Sequence, residues 1–140
     1  MGSVLFNYVK DVKINNVSSN DINLSSSGNS QVEGIGIGRI TANFAAGIAS
    51  VDDSFQCTDQ EAVEMAYYLL RNEGIFVGPS AALNVVGAVK AAKKLGKGNV
   101  VVTILCDSGD RYISKLYNKE WLEKEKLVPL STGKDIDFIK

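Results

Sequence analysis

The stretch Glu73-Gly74-Ile75-Phe76-Val77-Gly78-Pro79-Ser80-Ala81-Ala82 holds, within ten residues, a helix end, a short apolar run, a break and a helix start. Gly74 suits the left-handed residue that closes a helix. Ile75-Phe76-Val77 is bulky and apolar and predicts a short buried strand. Gly78-Pro79-Ser80 interrupts the chain, and a helix opens at Ser80 or just after it.

Working upstream, Thr58-Asp59-Gln60-Glu61 has the form of a capping box, in which Thr58 and Glu61 satisfy each other's backbone N–H groups. Ala62, Met65, Ala66, Leu69 and Leu70 then follow at helical spacing and predict one apolar face. Arg71 falls in the last turn before Gly74.

Working downstream, the helix after Gly78 is almost uncharged from Ala81 to Val89 and should be deeply buried there. Lys90, Lys93 and Lys94 place positive charge toward its end, and Gly96 stops it. Asn99-Val100-Val101-Val102-Thr103-Ile104-Leu105 is a continuous run dominated by β-branched residues, the pattern of a central parallel strand covered on both faces. Cys106-Asp107-Ser108-Gly109-Asp110 forms the turn at its carboxyl end. A charged helix is predicted from about Tyr117 to Lys126, and the tail Ser131 to Lys140 is expected to fray. Helix, strand, helix, strand, helix is a βαβ order, which predicts a right-handed parallel crossover in a three-layer α/β/α domain.

The amino-terminal part reads differently. Ser3 to Lys10 predicts a short buried element, and Val12 and Ile14 alternate like a strand end. In residues 15–31, eleven of 17 positions are Ser or Asn, too few apolar groups to offset ordering entropy, so a polar surface loop is expected. Glu33-Gly34-Ile35-Gly36-Ile37-Gly38 has glycine at every second position, which permits a sharp bend or close backbone approach. It is not a dinucleotide fingerprint, because Arg39 stands where a third, offset glycine is needed. The expected organisation is the start of a partial domain over 1–14, a Ser/Asn-rich loop over 15–32, the main α/β part over 33–128 and a tail over 129–140.

Composition narrows the function. The chain has 140 residues, 15 Lys plus Arg against 16 Asp plus Glu, and no His. A net charge of −1 argues against a nucleic-acid partner, which requires a basic face. Without His there is no Ser-His-Asp or Cys-His nucleophile. Cys57 and Cys106 are too few for a structural zinc site and are read as two buried, reduced thiols, a disulfide being the weaker reading. No apolar run approaches the ~20 residues of a membrane span. Met1 to Phe6 lacks the basic and long apolar regions of a signal peptide, so a cytoplasmic or mitochondrial location is expected.

In open parallel sheets, ligands sit beyond the carboxyl ends of the strands. Gly78-Pro79-Ser80 and Cys106-Asp107-Ser108-Gly109 are the two turns there, and they share one edge if their strands are neighbours. Spacing alone reads Ser80 as an N-cap worth about 1 kcal/mol. Its other reading is a hydroxyl aimed at a ligand from the positive end of a helix. Ser108 is open to the same two readings, turn serine or ligand contact.

From Glu33 to about Leu127 the chain resembles the C-terminal part of the cysteine synthase and cystathionine β-synthase family, pyridoxal-phosphate enzymes of the tryptophan-synthase-β fold, known as fold type II. The resemblance rests on Glu33-Gly34-Ile35-Gly36, on Thr58-Asp59-Gln60-Glu61-Ala62, on Glu73 to Ala82, and on Asn99 to Leu105 followed by Cys106-Asp107-Ser108-Gly109-Asp110-Arg111-Tyr112. It implies the C-terminal portion of a three-layer α/β/α domain with a mostly parallel sheet. It implies pyridoxal phosphate as cofactor, with the hydroxyl of Ser80 on the pyridine nitrogen, Gly34, Ile35 and Gly36 lining the site, and Asp107 and Ser108 close to the ring. Pro79 and Ala82 stand where the family often has Gly or Ser. The implied parent is a homodimer acting on a small amino-acid substrate, O-acetylserine plus sulfide giving cysteine plus acetate.

A hydroxyl at the pyridine nitrogen, with a helix N-terminus behind it, disfavours ring protonation and leaves a weaker electron sink than a carboxylate partner would. A weaker sink suits elimination at the β-carbon better than transamination. The family's cofactor-holding lysine lies in a Ser-x-Asn-x-Lys context and its phosphate cradle is Gly/Thr-rich, and neither pattern occurs in these 140 residues. The expectation is therefore a portion inactive alone. Two further readings stay open: a non-catalytic protein that docks on a full-length relative through an exposed sheet edge, and a small α/β module that binds a phosphate ligand at the Ser80 helix start.

Overall fold

A computed structural model of the chain describes residues 2–5, 42–47 and 55–140. The Ser/Asn-rich stretch, Val12, Ile14, and Gly34, Ile35 and Gly36 lie outside the described residues. Strand β1 (Gly2–Leu5) pairs antiparallel with β2 (Phe55–Thr58), with Gly2 opposite Thr58 and Leu5 opposite Phe55. Ala42–Gly47 forms a short helix, α1.

The capping box forms as the spacing predicts. The Glu61 N–H donates to Thr58 Oγ1 at 3.1 Å, and the Thr58 N–H donates to Glu61 Oε2 at 2.7 Å. Helix α2 (Asp59–Tyr68) starts there and runs into a π-helical turn, Leu69–Glu73, closed by Gly74 at φ 68°. Ala62, Met65, Ala66 and Leu69 are buried, whereas Leu70 is exposed. The wider π turn changes the angular step between residues, so the apolar face ends at Leu69.

Helix α3 (Pro79–Leu95) begins one residue before the expected start. Gly78 is its N-cap and Pro79 its first residue, so Ser80 lies inside the first turn and is not the cap. Proline favours that first position because its fixed φ is already helical and its missing N–H would be unpaired anyway. Gly96 ends the helix at φ 78°, and the Asn99 side chain donates to the carbonyls of Leu95 and Gly96. Helices α2 and α3 pack face to face around Met65, Leu83 and Val86. Leu122 of the short helix α4 (Lys119–Glu125) joins that core.

The chain is α/β, but a parallel sheet does not form among the described residues: the one pair of named strands is antiparallel. Of the predicted strand Ile75 to Val77, Val77 is buried and makes a single antiparallel bridge to Ser108, and Ile75 is exposed. The run Val100 to Leu105 is not a covered central strand. Val100, Val102 and Ile104 are 87%, 77% and 70% exposed, while Val101 and Thr103 are half-buried. This alternation has the period of extended chain lying on one surface. That surface is α3, where Asn84 donates to the Ile104 carbonyl at 2.8 Å and Thr103 donates to the Asn84 carbonyl at 3.2 Å. No described strand pairs with the run, so its outer side meets water.

The tail is also unlike its expectation. It packs along α2 instead of fraying, and Ile139 is only 4% exposed. Two buried carboxylates on one face of α2 hold it. Glu64 accepts from the N–H groups of Leu130 at 2.7 Å and Ser131 at 3.0 Å, and Glu61 accepts from Lys140 N at 3.2 Å. Lys93 Nζ donates to the Ile139 carbonyl at 3.0 Å, Arg71 donates to the Ser131 carbonyl at 3.0 Å, and the Phe138 ring meets Tyr68. Charge-assisted hydrogen bonds of this kind are about twice as strong as neutral ones.

Candidate functional site

The two turns singled out from the sequence meet. The Gly78 N–H donates to the Asp107 carbonyl at 3.1 Å, and the Gly109 N–H donates to the Phe76 carbonyl at 3.3 Å, flanking the Val77–Ser108 bridge. The contact is tight at both glycines. A Cβ at Gly78 would collide with the Asp107 carboxylate, and one at Gly109 would lie 2.5 Å from the Phe76 ring. Glycine permits this close approach at both positions, and neither has an unusual φ.

Ser80 sits in the first turn of α3 at 8% exposure, one of three buried polar or charged residues among the described ones. That position lies at the positive dipole end of the helix. Asp107 is half-buried against Gly78. Ser108 is exposed, and its hydroxyl donates to Asp110 Oδ2 at 2.8 Å, so it braces its own turn. The structure thus brings Ser80 and Asp107 to one corner, with Ser108 on its rim. A small apolar pocket lies beside Pro79, lined among others by Ala62, Val63, Leu116 and Trp121, and Ser80 does not line it.

Below the corner is an ionic cluster that sequence reading missed. Lys90 Nζ lies 2.9 Å from Glu61 Oε1, both side chains being largely buried, and donates to the Gln56 carbonyl at 2.7 Å. Burial pushes the Glu61 carboxyl up. The Lys90 ammonium and the N–H groups of Thr58 and Lys140 outweigh it, and the net shift is downward. Cys57 beside them is fully buried, and burial pushes its thiol to about 11. Both cysteines are free, but Cys106 is exposed at the end of the uncovered run, which corrects the reading of two buried thiols.

Sequence reading also missed Tyr117. Its hydroxyl donates to the Val77 carbonyl at 2.7 Å, and its ring lies 4.5 Å from Phe76 and 5.5 Å from Tyr67. The only local signal was a tyrosine next to Asn118, the residue that caps α4 through a bond from the Trp121 N–H.

With this geometry in hand, the class of the protein follows from its relatives. The family model for pyridoxal-phosphate dependent enzymes matches residues 9–107, and the chain belongs to that family. Within it, the chain is 48% identical over 109 residues to cysteine synthase 2 of Schizosaccharomyces pombe, covering 78% of this chain and 27% of that protein. It is 48% identical over 108 residues to a cysteine synthase of Dictyostelium discoideum, covering 77% and 28%. It is 43% identical over 127 residues to cysteine synthase 1 of Neurospora crassa, covering 91% and 32%. The chain therefore spans a third or less of the length of these relatives. Among the described residues, no helix is long and apolar enough to cross a membrane.

Proposed function

We propose that this chain is the C-terminal portion of a cysteine-synthase-like enzyme, in which residues 33–128 supply one wall of the cofactor site. The parent would be a homodimer that converts O-acetylserine and sulfide to cysteine and acetate. The observation that carries this reading is the corner itself: Ser80, buried in the first turn of α3, follows directly on Gly78, which is bound to the Asp107 turn, in a chain of this family.

The donor chemistry fits the nitrogen end of the cofactor. A buried hydroxyl at a helix N-terminus suits a neutral ring nitrogen, because the positive helix end opposes a proton there. When bound, pyridoxal phosphate supplies the electron sink for replacing a substituent on an amino acid's β-carbon. Ser80 would orient the ring and Asp107 would flank it. The Gly34-Ile35-Gly36 segment would line the active site. The amine and the phosphate cradle would come from the part of the enzyme preceding these residues. Lys90 and Lys93, facing Glu61 and the Ile139 carbonyl, are structural.

The uncovered run Val100 to Leu105 supports the same reading. A β-branched segment with its outer side bare has the composition of a central strand, and no neighbour for it lies among the described residues. The test is direct. The reading frame upstream should encode the Ser-x-Asn-x-Lys lysine and a Gly/Thr-rich loop, and the enzyme expressed from it should release acetate from O-acetylserine with sulfide. The 140 residues alone, given pyridoxal phosphate, should release none. Turnover by the short chain would overturn the proposal.

A further inference from the structure

We infer that Tyr117 is a positioning residue for Ser80, an inference that rests on reading Ser80 as a cofactor contact. Tyr117 lies beyond the residues matched by the family model. The segment Phe76-Val77-Gly78 leads directly into the turn that presents Ser80. On one side its backbone is bound by the Asp107–Gly109 turn, through the Phe76 carbonyl and the Gly78 N–H. Successive carbonyls of an extended segment point to opposite sides. The Val77 carbonyl therefore faces away from that turn, and the Tyr117 hydroxyl satisfies it at 2.7 Å. Val77 is buried, so leaving its carbonyl without a donor would be costly.

Tyr117 is itself fixed. Its N–H donates to the Tyr112 carbonyl at 3.2 Å, and Asn118 beside it caps α4. Its ring stands between Phe76 and Tyr67 of α2. Burial pushes its hydroxyl up to about 12, so it remains a donor across the physiological range. The clamp thus ties the Ser80 corner to both α2 and α4. Without the hydroxyl, the ring contacts persist but the Val77–Gly78 peptide is held on one side only, by the Gly78 N–H bond to the Asp107 carbonyl, which loosens the start of α3.

The test uses the cofactor-loaded enzyme expressed from the whole reading frame that carries this chain, comparing wild type, Tyr117→Phe and Ser80→Ala. Amide exchange and the absorption and emission maxima of the bound cofactor are measured. In Tyr117→Phe, exchange at Gly78, Ala82 and Gly109 should be about tenfold faster, with Met65 and Ala66 in α2 unchanged. The cofactor maxima should move in the direction seen for Ser80→Ala. Unchanged exchange at Gly78, or equal acceleration throughout α2, would overturn the inference, as would cofactor maxima identical to wild type. If Ser80→Ala itself leaves the maxima unmoved, the cofactor reading of Ser80 fails, and Tyr117 is then not a positioning residue whatever its own exchange shows.

Discussion

The tail from Pro129 to Lys140 and the run from Val100 to Leu105 exchange the roles their compositions suggest. The tail carries Ser131, Thr132, Gly133, Lys134, Asp135 and Asp137, yet it is strapped to α2 and buries Ile139. The run is nearly all aliphatic, yet Val100, Val102 and Ile104 face solvent. The difference lies in partners. The tail has two buried carboxylates, an ammonium and a guanidinium within reach of its backbone. The run has one packed side, on α3, and no described strand beside it. Apolar composition states a preference for burial, but only a neighbouring surface satisfies it.

The comparison is tested most severely at Glu61. Glu61→Ala removes the Lys90 partner, the Lys140 contact and half the capping box together. Breaking a buried ion pair on one side should destabilise the fold by about 3–5 kcal/mol, read as a lower urea midpoint. Glu64→Ala leaves the N–H groups of Leu130 and Ser131 without their acceptor and should cost about 2–3 kcal/mol. Limited proteolysis should then cut within the tail first. A protected tail in Glu64→Ala would mean the strap is held by apolar contacts alone. At the corner, Gly78→Ala drives a methyl into the Asp107 carboxylate and should cost about 1–3 kcal/mol by the same denaturation.

The exposed run should answer in the opposite way. Val102→Lys and Ile104→Lys should change the stability of the 140-residue chain by less than about 0.5 kcal/mol. Both should reduce self-association in sedimentation, since they break a bare apolar edge. A loss of several kcal/mol would show that the run is buried in solution.

Acid and alkali give smaller, graded effects. The Glu61 carboxyl is held below its ordinary value of 4.5 in the folded chain. Its contribution is therefore present above that pH and is lost as the pH falls through the lower folded value. The Cys57 thiol is raised from 9.0 to about 11, so its contribution is full below pH 9 and is lost as the pH rises toward 11. At neutral pH an aromatic disulfide reagent should label Cys106 readily and Cys57 only on unfolding. Two equally fast thiols would contradict the burial of Cys57.

Much of the local architecture is legible from single residues. Thr58 and Glu61 start α2, Gly74 closes the π turn, and Gly96 stops α3, because each signal acts through backbone groups one turn away. The start of α3 is misread by one step because serine is the commoner cap, whereas Pro79 as first residue moves the cap to Gly78. The meeting of the Gly78 and Asp107 turns is legible only as a conditional, since it required the two apolar segments to be neighbours. Tyr117, Glu64 and the tail were not legible. Their contacts join positions 40, 66 and 79 residues apart, and nothing in the periodicity of one segment specifies its distant partner.

By itself, then, the amino-acid order determined the capping box of α2, the glycine stops after α2 and α3, and the family resemblance, since these depend on side-chain identity and near-neighbour backbone geometry. Tertiary structure decided which apolar face is covered, which carboxylates are buried, and that Ser80, Asp107 and Tyr117 share one corner. Those outcomes depend on long-range packing, in which each group's environment is set by whatever other surface arrives to exclude water from it.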